Sequence, residues 1–148
     1  MSNQTGSSGE QALIASIDAL IPRPRGAALR LLLDELAQVG ISIAGTSFDA
    51  ILLPDDAEIE VTDVDSVRRH LPEMTFAEIK STNKTSVRED FSGFFFSLTE
   101  KEIDAARQLG ERHIVLLQNM ITGALVQTRV GEIAARSRST TWQVSVQL

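Results

Sequence analysis

The stretch TFAEIKST, residues 75–82, constrains this chain more than any other. Its apolar and β-branched residues read as a strand, yet it carries Glu78 and Lys80 two positions apart. Successive side chains of a strand point to opposite faces, so a spacing of two aims both charges at one face. Burying such charges costs free energy unless each finds a partner or a metal. The face is therefore either open to water or a site, and the fold must supply a sheet that accommodates it.

Bulk properties narrow the choice. With 148 residues, 43% of them hydrophobic, the chain is long enough for one core and too short for two ordinary ones. No apolar run approaches the length of a membrane span, and the polar start MSNQTGSSGE lacks the basic and apolar regions of a secretory signal, so cytoplasmic residence is expected. The absence of cysteine excludes disulfides and thiolate metal sites, and two histidines argue against a His-rich zinc site. A net charge of −6 is a handicap for gripping nucleic acid by phosphate neutralisation. Clusters such as Arg23 and Arg25, Arg68 and Arg69, and Arg136 and Arg138 nevertheless allow local basic patches.

Residues 1–10, rich in Ser, Gly, Asn and Gln, read as a flexible tail, leaving 11–148 as a single domain. Leu13, Ile14, Ile17, Leu20 and Ile21 recur at helical spacing before Pro22 and Pro24. A second helix is expected over 26–39, stopped by Gly40. ISIAGTSFDAILLP reads as a hairpin or a kinked pair of strands, EIEV as a short strand, and 65–71 as a helical turn. Phe94 to Phe96 read as a core strand. The clearest local signal follows: Thr99 and Glu102 have capping-box spacing, predicting a helix over 100–109 closed by Gly110. HIVLLQNM, ALVQTRV and an alternation over 141–148 complete the chain as strands. Helices, then charged strands, then helix and strands give an α/β class with a central mixed β-sheet flanked by helices.

Asp49 is an acid in the otherwise apolar run FDAILLP, and a strand there would set it beside Glu78. Asp55, Asp56, Asp63 and Asp65 lie in the same gap and compete for that place. These residues, Phe48–Asp49 and then Glu78-Ile79-Lys80, resemble the PD-(D/E)XK nuclease superfamily, the restriction-endonuclease-like fold. That pattern sets an acid at one strand start, Glu-x-Lys on the neighbouring strand and, in some members, a Glu on an upstream helix, here Glu35. The proline that gives the first motif its name is absent before Asp49. FSLTEKEIDAARQLGERHIVLLQN also resembles the continuation in the domain at the carboxyl end of plant NO VEIN proteins and related bacterial nuclease-like domains. The resemblance spans 35–119.

It implies a Mg²⁺- or Mn²⁺-dependent endonuclease cutting DNA, in restriction, repair or defence. Asp49, Glu78 and the backbone carbonyl of Ile79 would hold the metal, with Glu35 as a further ligand or merely a surface carboxylate. Lys80 would orient the attacking water or steady charge on the phosphate. So short and acidic a chain is expected to need a homodimer or a DNA-binding partner subunit. The runner-up is a non-catalytic domain of the same fold acting as an interaction or regulatory module. A third class, an adaptor or immunity protein unrelated to nucleic acid, suits the acidic charge.

Overall fold

The computed structural model describes residues 2–138, 140 and 146–148. Among the described residues five strands form one mixed sheet in the order β1 (Leu20–Pro22), β2 (Ala50–Leu52), β3 (Thr75–Thr82), β4 (His113–Asn119) and β5 (Leu125–Thr128). Neighbours are antiparallel except β3 and β4, which run parallel, from Phe76 beside His113 to Thr82 beside Asn119. A parallel pair needs a crossover, and α4 (Glu100–Leu109) lies in it. Among the described residues, no helix is long and apolar enough to cross a membrane.

Period two on β3 sorts the layers. Ala77 and Ile79 face α1 (Ser2–Ser16), packing with Leu13, Ile114 and Leu116. Phe76 faces the other way, into a larger core with Leu32 and Leu36 of α2 (Gly26–Gln38), Val67 of α3 (Val64–His70), and Ala105 and Leu109 of α4. Phe48 meets Phe76 edge-on, with ring centroids 5.1 Å apart. Glu78 and Lys80 share the face of Phe76, beneath the start of α4. A third cluster, with Val115 and Leu117 at its centre, supports β5 and α5 (Val130–Arg136).

The start of the chain departs from the sequence reading. Residues 2–10 do not stand apart as a tail, because α1 begins at Ser2 and Gly9 and Glu10 belong to the helix laid across β3. Gly9 permits that contact: a Cβ there would collide with Ser81 Oγ and stand 2.8 Å from Ser81 Cβ. The helix stops at Ser16, whose hydroxyl donates back to Leu13 O and so competes with helix continuation. Leu20 and Ile21, expected in that helix, therefore form β1, and Pro22 is tolerated because β1 is an edge strand.

Other expectations were shorter in fact than on paper. α2 ends at Gln38, with Gly40 at φ +87°, where glycine is favoured. ISIAGTSFDAILLP yields only β2, because Ser47 N–H and Oγ–H both turn back to Ala44 O and break the first half. EIEV is not a strand: the Glu60 N–H donates to Ser66 Oγ, while Asp63 caps α3. Nor are Phe94 to Phe96, which form a loop where Phe94 and Phe96 turn inward and Phe95 stays 86% exposed. The strand expected at 141–148 falls largely outside the described residues.

Candidate active site

Asp49 sits immediately before β2, and the sheet fixes it from two sides. Its N–H donates to Ala77 O at 2.8 Å, and its carbonyl accepts from Arg23 N at 3.1 Å. Its side chain then reaches sideways, where Oδ2 accepts the Ile79 N–H at 2.8 Å. The carboxylate is thus placed by backbone groups on both neighbouring segments, alongside Glu78. Asp55, Asp56, Asp63 and Asp65, the competing acids, lie exposed in the connections after β2 and at the start of α3. Asp49 alone of that set acts on Glu78.

Glu78 is 4% exposed. Lys80 Nζ stands 3.3 Å from its Oε1, while its Oε2 is buried and meets no hydrogen-bond partner among the described residues. Burial, the charge of Asp49 and hydrogen bonding to Asp49 push the Glu78 carboxyl up to about 10, against the pull of Lys80. At neutral pH this favours the protonated carboxyl. Lys80 lies between the carboxyl of Glu78 and the carboxylate of Glu102, whose Oε1 is 3.1 Å and Oε2 3.4 Å away. Burial alone would lower its pKa, but Glu78 and Glu102 outweigh that and hold the ammonium above its usual value.

Two participants escaped the sequence reading. Glu10, on α1, is pushed up to about 7 by burial and then by the charge of Asp49, while Arg23 and Lys80 pull it down. Its signal was present: Glu10, Leu13, Ile14 and Ile17 follow the i, i+3, i+4, i+7 pattern of one helix face. A tail assignment hid it. Glu102 was read only as a capping residue, which it also is. Arg23 closes the other side, with its guanidinium donating to Phe48 O at 2.9 Å.

Glu35 belongs elsewhere. Neither a surface carboxylate nor near Glu78, it is 4% exposed and pairs with Arg68 through two bonds of 2.9 and 3.0 Å. That hydrogen-bonded guanidinium holds its carboxyl below the usual range. Its work is to tie α2 to α3. Arg68→Ala should accordingly lower the melting temperature, by stranding a buried carboxylate, and leave any metal affinity of the Asp49–Glu78 pair unchanged; calorimetry and titration read the two effects.

Among the described residues, no three His, Cys, Asp or Glu side chains are arranged as a metal-ligand set. The core of the site is a carboxyl pair, Asp49 and Glu78, beside one half-buried ammonium. No protein family, curated protein or solved structure matches this chain.

Proposed function

We propose that this is a small metal-dependent DNA endonuclease of the PD-(D/E)XK type, with a restriction-endonuclease-like fold, working in restriction, repair or defence. The observation that carries the reading is the meeting of Asp49, Glu78 and Lys80 on one sheet face, from segments about 30 residues apart. Helix, acidic strand end, Glu-x-Lys strand and capped helix follow one another in the same order.

The donor set fits a hard divalent cation. Two adjacent carboxyl groups, one with an orphaned buried oxygen, repel each other unless a proton or a cation lies between them. All the available donors are oxygen, the chemistry of Mg²⁺ or Mn²⁺, and Mg²⁺ commonly takes one or two carboxylates and keeps waters for the rest. Asp49 and Glu78 would hold it, with the Ile79 carbonyl next to them in the chain. When bound, the ion supplies charge neutralisation and a more acidic water. Glu78 must give up its proton to serve as a ligand, and the Ile79 N–H keeps Asp49 oriented meanwhile. Lys80 places a fixed positive charge beside the carboxylates, where it steadies negative charge developing on a phosphoryl oxygen. Because the net charge is −6, a second copy or a basic partner subunit supplies much of the grip on DNA.

The runner-up, a non-catalytic module of the same fold, draws on the enclosure of the site: Glu78 is 4% exposed and Lys80 is tied to two acids. One comparison separates them. Purified protein is incubated with plasmid or single-stranded DNA and Mg²⁺ or Mn²⁺, with a chelator control, beside Asp49→Ala and Lys80→Ala. Metal-dependent cleavage lost in both variants supports the nuclease. Cleavage surviving both removes the assignment of these residues, and absence of both cleavage and metal binding favours the module.

A further inference from the structure

We propose that Glu102 is the positioning residue for Lys80: its carboxylate, fixed by the first turn of α4, holds the ammonium in place beside Glu78. The inference rests on the role given to Lys80 above and concerns how that charge is kept there.

Four constraints fix Glu102. Its N–H donates to Thr99 Oγ1 at 3.1 Å, and its Oε1 accepts the Thr99 N–H at 2.9 Å, the two arms of a capping box. Its residue is only 6% exposed, and α4 is anchored in the main core through Ala105 and Leu109. The same Oε1 accepts from Lys80 Nζ at 3.1 Å, 22 residues away in the chain. Lys80, by contrast, swings on a flexible four-carbon stem and has no geometry of its own to keep its charge in register. The rigid partner sets the position of the mobile one.

The cap by itself does not account for a glutamate. Glutamine completes a capping box equally well, since only a side-chain oxygen is required. What the carboxylate adds is a negative charge, and that charge is directed at Lys80. Glu78, the other neighbour, is a proposed metal ligand, so its oxygens have a competing use. Glu102 has no such rival beyond the Thr99 N–H, which it serves with the same atom.

Substitutions divide the two roles. Glu102→Gln preserves the cap and removes the charge; Thr99→Ala removes one arm of the cap and keeps the charge. Under Mg²⁺, Glu102→Gln should lower kcat by about 10–100-fold with KM nearly unchanged, the size seen when a supporting partner of an active group is lost. Thr99→Ala should lower the melting temperature and, because the Thr99 N–H and the Glu102 charge both remain, lower kcat much less than Glu102→Gln does. A readout independent of cleavage is the double-mutant cycle in thermal unfolding. Lys80→Met and Glu102→Gln together should cost less than the sum of the two, while Lys80→Met and Thr99→Ala should add. Additivity of Lys80→Met with Glu102→Gln overturns the proposal, as does equal loss of kcat in Thr99→Ala and Glu102→Gln. Should the wild-type chain cut no DNA, the nuclease reading falls by itself and the cycle still decides whether Glu102 anchors Lys80.

Discussion

Replacing Glu78 by glutamine should raise the melting temperature while abolishing metal-dependent cleavage. The folded protein carries this carboxyl buried and protonated, its pKa pushed from the usual 4.5 up to about 10. Between those values the folded state binds a proton that the unfolded chain releases, so stability is full below about 4.5 and declines as pH rises toward 10. The amide of Glu78→Gln has no proton to lose and carries no charge to bury. Relieving a poorly satisfied buried group is worth about 1–3 kcal/mol. For a chain of this size each kcal/mol moves the midpoint by about 2–4 °C. The gain should be large at pH 8, small at pH 5 and absent near pH 4. Glu10, pushed up to about 7, adds a smaller decline of the same sign between 4.5 and 7 in both proteins. His113, 1% exposed and with neither ring nitrogen hydrogen-bonded among the described residues, has its pKa lowered by burial, so stability also falls as pH drops below 6.5. That acid limb is common to both and cancels. A midpoint that fell, or rose equally at every pH, would mean that Glu78 is not the strained group described here.

Gly9→Ala should be the most damaging small substitution. The new methyl group would collide with Ser81 Oγ and meet Ser81 Cβ at 2.8 Å, well inside ordinary contact. Overpacking of this kind costs about 1–3 kcal/mol. If α1 lifts off instead, Leu13 loses a burial worth roughly 1.5–3 kcal/mol, and Gln118 Nε2 loses Gly9 O as an acceptor. Glu10 leaves the carboxylate group in the same movement. Urea denaturation of Gly9→Ala, alone and with Ser81→Gly, checks this: the second change opens the space and should restore part of the loss. A Gly9→Ala protein as stable as the parent would mean that α1 does not lie where it is described.

The parts that were legible had local causes. Thr99 and Glu102 mark the start of α4 because a capping box is written within four residues, and TFAEIKST announces β3 by composition and its charged face by period. Asp49 stood out because one acid interrupted an apolar run. What stayed hidden depended on distant partners. Glu35 seemed a surface carboxylate because nothing in sequence links it to Arg68, 33 residues on. The helical stripe from Leu13 ran on to Ile21 because periodicity does not register the Ser16 hydroxyl turning back on the helix. Glu10 was lost to composition, since the Ser- and Gly-rich segment before it resembles a mobile end, although its Gly9 is what lets the helix approach β3. Glu102 illustrates a different difficulty: one complete explanation, the cap, concealed a second use of the same oxygen.

The parallel pairing of β3 with β4 has a consequence for biosynthesis. Asp49, Glu78 and Lys80 are all translated before His113, the first residue of β4. A hairpin closes as its two strands emerge, whereas this pair waits for the whole connection between them, α4 included. A truncated or still-growing chain thus displays the acids and the amine without the brace that sets the amine in place. The sheet that carries these three side chains is complete only once the last third of the polypeptide has been made.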